Sequence, residues 1–135
     1  MGKLVLLLSM LFMHIFADYN LQGILASMKQ KEFWKKELGY NDNQLENSLY
    51  KTDYKCALLM HSLQWTICIF VMPLIYMYIN SFEMNEYIIL LLFIGETYIH
   101  YIVDDLKAND RKINLWDDQL LHILQIIILW LYVVG

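Results

Sequence analysis

Proline occurs once in the 135 residues, glycine five times and cysteine twice. So little punctuation excludes a collagen-like repeat, a flexible linker and a disulfide scaffold. Charge is scarce too: Asp, Glu, Lys and Arg make up 18% of the chain, against roughly 25% in an average soluble domain. A net charge of -4 gives no basic footprint with which to neutralise phosphates, which argues against a nucleic-acid partner. What the chain has in excess is apolar surface, 59% of its residues, and that excludes intrinsic disorder. The length suits one domain, either a membrane protein or an unusually apolar helical bundle.

The placement of the charges decides between these. Between Lys3 and Lys29 the only charged residue is Asp18, between Lys55 and Lys107 there are only Glu83, Glu86, Glu96, Asp104 and Asp105, and after Asp118 there is none. Since about 20 residues of helix cross a bilayer core, the middle tract is too long for one span, and Asn80, Ser81, Glu83, Asn85 and Glu86 divide it. The expected fold is all-α, a single domain over 1–135 with four transmembrane helices near 4–28, 56–79, 87–106 and 115–134.

Lys and Arg in short loops favour the cytoplasmic side. The 29–55 connector carries Lys29, Lys31, Lys35, Lys36, Lys51 and Lys55, and the 107–114 turn adds Lys107, Arg111 and Lys112, nine of the ten basic residues. The expectation is therefore a multi-pass protein of the inner (plasma) membrane with these two loops cytoplasmic and both termini outside. Lys3 followed by an apolar run to Ala17 has the gross shape of a signal peptide, but His14 stands where a small residue is needed before the cleavage point, and the apolar pattern continues through Leu21, Leu25 and Met28. Cys56 and Cys68 lie about 18 Å apart along one helix, too far to bridge. In the connector, KQKEFWKKEL interleaves lysines with Phe33, Trp34 and Leu38, as a short interfacial helix does, and Gly39 ends it. A turn follows over Asn41 to Asn47, with room for a further short helix.

The informative residues are the polar ones within the spans. The chain has four histidines and each span holds one: His14, His61, His100 and His122. Three of them pair at i,i+4 with aspartates, as His14/Asp18, His100/Asp104 and Asp118/His122, which puts both partners on one helix face. Glu96 extends the stripe of His100 and Asp104 by a turn. An Asp at a helix centre costs on the order of 2.5 to 3.5 kcal/mol to insert, so these side chains should face one another inside the bundle, toward the basic loops.

Imidazole and carboxylate converging from several helices are the donors that suit Zn2+, or Mn and Fe with more oxygen. His14, Asp18, His61, His100, Asp104, Asp118 and His122 are the candidate ligands. They exceed what one ion needs, so either two ions bind or some of them orient the others. The same pairs can also act simply as hydrogen-bonded helix glue.

The run His14-x-x-x-Asp18-x-x-Leu21-Gln22, then Lys29 and His61, then His100-x-x-x-Asp104-x-x-Lys107 and Asp118-Gln119-x-x-His122, resembles the small bacterial and phage membrane proteins grouped as domain of unknown function 3307. The resemblance spans nearly the whole chain. It implies that Asp18, Gln22, Lys29, His61, His100, Asp104, Lys107, Asp118, Gln119 and His122 are motif positions, and it implies no activity. A looser similarity is to membrane-bound metal-dependent hydrolases, which also set His and Asp on transmembrane helices.

A metal so held lowers the pKa of a bound water and polarises a phosphoryl or carbonyl oxygen. Asp104 or Asp118 would serve as general base, and Lys29 and Lys107 would hold an anionic head group at the mouth. Gln22, Glu96 and Gln119 would orient the ligands. The expected activity is hydrolysis of a lipid-linked or amphiphilic phosphoester, with membrane lipid as partner and room for a homo-oligomer. The alternatives are a non-enzymatic membrane effector, holin-like or part of phage defence, and a proton or metal-ion conductor built on the same cluster.

Overall fold

The computed structural model describes residues 2–135. Helix α1 (Lys3–Ile15) runs directly into a π-helical turn (Phe16–Leu21) and is followed by α2 (Leu25–Met28), α3 (Lys31–Leu38), α4 (Asp42–Glu46), α5 (Asp53–Ile79), α6 (Glu86–Ala108) and α7 (Leu115–Val134). No strand occurs among the described residues. Four rods, Lys3–Leu21, Asp53–Ile79, Glu86–Ala108 and Leu115–Val134, are long and apolar enough to cross a membrane.

Their ends follow from local chemistry. Asn114 caps α7 by accepting from the backbone N–H groups of Trp116 and Asp117, while the Asp117 side chain returns the bond. Asn85 caps α6, and Asn41 with Gln44 forms the same reciprocal box on α4. Pro73 sits inside α5 without ending it, a substitution membrane helices tolerate because neighbours cover the freed carbonyl. The first span is shorter than the expected 4–28. It stops at Leu21 because Gly23 takes φ +49, a left-handed conformation that interrupts the rod, and the apolar Leu25 and Met28 belong to the separate α2.

The long helices form a ring in the order α1, α5, α6, α7 and back to α1, with α2 laid against α5. Lys3 Nζ donates to the Val134 carbonyl at 2.6 Å and Trp130 Nε1 to the Lys3 carbonyl at 2.8 Å, so both chain ends lie at one end of the ring. The basic connector closes the other end, where the Lys31 N–H donates to Asn109 Oδ1 at 2.8 Å. Helix α3 is as expected, ended by Gly39 at φ 65, but Trp34 turns into the connector, donating to the Met28 carbonyl at 2.8 Å and stacking on Tyr50.

Outward-facing residues are apolar along all four rods, among them Leu8, Phe12, Ile67, Leu91, Leu124 and Ile128. A soluble monomer does not leave so much apolar surface in water. Inside, Leu6, Met10, Ile69, Phe70, Ile126, Leu129 and Val133 fill the half nearer the chain ends. The half nearer the basic loops is polar.

Candidate metal centre

Each rod of the ring contributes one histidine to this polar half, and all four are buried, at 2% exposure or less. The i,i+4 spacing explains why each brings an acid with it: His14 and Asp18 lie on α1 and its π turn, His100 and Asp104 on α6, Asp118 and His122 on α7. His61 on α5 has none of its own and meets the acids of its neighbours.

Asp104 is the centre. Its Oδ2 lies 3.2 Å from His61 Nε2 and 3.8 Å from His100 Nε2, and its Oδ1 lies 3.4 Å from His122 Nε2. His61 Nε2 and His100 Nε2 are 3.3 Å apart, and Asp18 Oδ1 is 3.5 Å from His61 Nε2. Two buried groups have donor atoms close enough together to hold a metal ion: Asp18, His61 and His100, and His100, Asp104 and His122. Four donors at 2.0–2.1 Å around one ion stand about 3.3–3.4 Å from each other, so most of these separations are compatible with ligands sharing a cation. The buried Asp18 Oδ1 and Asp118 Oδ1 have no hydrogen-bond partner, a costly state for a carboxylate oxygen without a cation nearby.

His14 stands apart from both groups. Trp65 Nε1, which can only donate, bonds His14 Nδ1 at 2.9 Å, so the ring proton sits on Nε2 and goes to Gln119 Oε1 at 3.1 Å. Gln119 Nε2 in turn donates to Asp118 Oδ2 at 3.0 Å. The expected His14–Asp18 pair is 3.6 Å apart, too long for a hydrogen bond. His14 therefore occupies both nitrogens in orienting Asp118 through Gln119 and has none left for a metal.

The other three imidazoles are aimed by packing. Trp65 stacks on His100 with centroids 4.2 Å apart, and His100 stacks on His122 at the same distance. Their Nδ1 atoms, and that of His61, have no protein partner, unlike the usual metal-ligating histidine whose second nitrogen is tied down. Trp65 is the residue that sequence reasoning missed. It lies four residues after His61 on the same face, and this spacing is the signal that could have found it.

The lysines expected at the mouth reach the cluster itself. Lys29 Nζ is 2.5 Å from Asp104 Oδ2, and Lys107 Nζ is 2.6 Å from Asp118 Oδ2. Asp18, Asp104 and Asp118 against these two ammoniums leave one negative charge for a bound cation or a protonated imidazole to balance. Gln22 donates to the Asp18 backbone carbonyl. Glu96 is buried but belongs to neither donor group; its carbonyl accepts from Gln125 at 2.7 Å, and it forms with Gln125, Thr66 and Thr97 a second polar layer deeper in the bundle. A cleft of about 390 Å³, lined by Gln22, Lys29, Gln30, Asp104, Lys107 and Arg111, leads from the basic end to Asp104. Arg111, absent from the sequence-derived site, adds a third cation to it.

No family model matches the chain, and no curated protein or solved structure is detectably similar to it. Buried His and Asp groups capable of holding a metal ion lie within a ring of four membrane-length helices, and a cationic cleft opens onto them.

Proposed function

We propose that the protein is a membrane-embedded metal-dependent hydrolase acting on a lipid-linked or otherwise amphiphilic phosphoester. The observation that carries this is the opening of the cationic cleft directly onto Asp104, the carboxylate on which the Nε2 atoms of His61, His100 and His122 converge. A metal centre without such a mouth would be structural; a cationic mouth without the donors behind it would only bind.

His61, His100, Asp104 and Asp18 are the donor set, and imidazole with carboxylate donors suits Zn2+, with Mn or Fe as alternatives. When bound, such an ion supplies an acidified water and a Lewis acid for a phosphoryl oxygen. Lys29, Lys107 and Arg111 hold the anionic head group while its chains stay among the apolar rods. Hydrolysis adds the water oxygen to phosphorus, breaks the ester P–O bond and delivers a proton to the leaving oxygen. Asp118, which that donor set leaves out, is the carboxylate at hand to accept the proton that the water loses.

The excess of lysine and arginine at the cleft end supports a cytoplasmic placement of that end, with both termini outside and the inner (plasma) membrane as location. Ion conduction is disfavoured by the apolar packing of Leu6, Met10, Ile69, Ile126 and Leu129 beyond the polar half. A purely disruptive effector has no use for one buried histidine per rod.

Elemental analysis of the detergent-purified protein beside a His61→Ala, His100→Ala variant tests the reading. Stoichiometric divalent metal in the wild type and its loss in the variant are expected, together with phosphate release from lipid extracts. A wild-type protein without metal sinks it, and metal with ion movement into proteoliposomes but no phosphate release would make it a transporter.

A further inference from the structure

The two donor groups share His100, and one imidazole nitrogen can serve only one ion. If His100 goes with Asp18 and His61, the remaining pair is Asp104 with His122, and a third donor stands beside it. Asp118 Oδ1 is buried, unpartnered, and 3.4 Å from His122 Nε2, the same distance as Asp104 Oδ1 from that nitrogen. The Asp104 carboxylate thus presents Oδ2 to His61 and His100 and Oδ1 to His122. Each side also has an unpartnered carboxylate oxygen, Asp18 Oδ1 on one and Asp118 Oδ1 on the other.

We infer that the centre takes two divalent ions bridged by Asp104, the first held by Asp18, His61 and His100 and the second by His122 and Asp118. This rests on the metal reading above and deepens it, with Asp118 now a ligand of the second ion instead of a free proton acceptor. Paired ions about 3.5–4 Å apart are the arrangement that clamps both the attacking and the leaving oxygen in phosphoryl displacement.

Charge gives the pairing a condition. Three carboxylates, two ammoniums and two divalent ions sum to three positive charges in a buried cluster, which demands anions. The second ion therefore enters together with an anion, and the cleft lined by Lys29, Lys107 and Arg111 is its way in. Binding of ion and anion is reciprocal: each tightens the other by the same factor.

The test counts Mn2+ per chain in the full-length protein after gel filtration, with and without inorganic phosphate, and reads the electron paramagnetic resonance spectrum. Wild type should hold one ion without phosphate and two with it, the second appearing with an exchange-coupled spectrum. His122→Ala should stay at one ion in both conditions. Asp118→Asn, which keeps the side chain's shape if the alanine variant does not fold, should do the same. One ion in wild type at saturating phosphate, or two in either variant, overturns the two-ion centre and leaves the metal reading standing; no ion under any condition overturns both.

Discussion

Lys29 and Asp104 are 75 residues apart in sequence, yet their charges meet at 2.5 Å with side chains only 12% and 3% exposed. At that separation and an effective dielectric constant of about 20 the Coulomb attraction is about 6–7 kcal/mol. Desolvation consumes several kcal/mol of it, so a net coupling of about 2–4 kcal/mol is expected in the metal-free protein. The two single substitutions should be unequal. Asp104→Asn strands a buried ammonium and turns one of the two oxygens that face His61 and His122 into an NH2 donor, costing about 3–5 kcal/mol. Lys29→Met leaves Asp104 with those imidazoles still in place and should cost less. The double variant should be milder than the sum of the singles by the coupling energy. Unfolding in mixed detergent micelles with chelator present, followed by helical circular dichroism for all four proteins, measures each quantity. Additive costs, with an interaction below about 0.5 kcal/mol, would refute the expected coupling of this buried pair.

Trp65→Phe keeps the ring that stacks on His100 but deletes the donor to His14 Nδ1; freeing the tautomer that orients Gln119 and Asp118 should weaken metal binding about 10–100-fold, read by metal titration. Thr66→Val removes the 3.0 Å bond between α5 and α6, but Thr97 retains the Phe93 carbonyl, so the loss in micellar unfolding should be about 0.6 kcal/mol. Gly39→Ala meets no neighbouring atom, so its cost, about 1 kcal/mol by the same assay, comes from φ 65 alone.

The four rods were legible because a helix long and apolar enough to cross a membrane needs no partner to declare itself: length and scarcity of charge suffice. The histidines were legible for the opposite reason, since burying each among apolar residues has to be offset by something. What stayed hidden was relational. Trp65 reads as one more aromatic in an apolar run until its N–H is seen to bond His14. His14 looks equal to the other three until that bond occupies its second nitrogen. Asp118 and Asp18 look alike in sequence, but the first is held by Lys107 and Gln119 and the second faces His61 on the neighbouring α5. The stop at Gly23 escaped because the apolar pattern carries on past it, while the backbone does not.

Depth has an electrical consequence. His122 is eight residues into α7, so the cluster sits about 10–12 Å from the basic end, and the apolar residues Leu6, Met10, Ile69, Ile126 and Leu129 occupy most of what remains. A transmembrane voltage falls mainly across such a low-dielectric plug, and moving one charge through the full drop is worth about 2.3 kcal/mol per 100 mV. A cation arriving through the cleft crosses only a minor part of that drop. With metal bound as proposed and the rods spanning a membrane, occupancy of the centre should therefore follow the ion concentration at the basic side and be nearly blind to whether the membrane is energised.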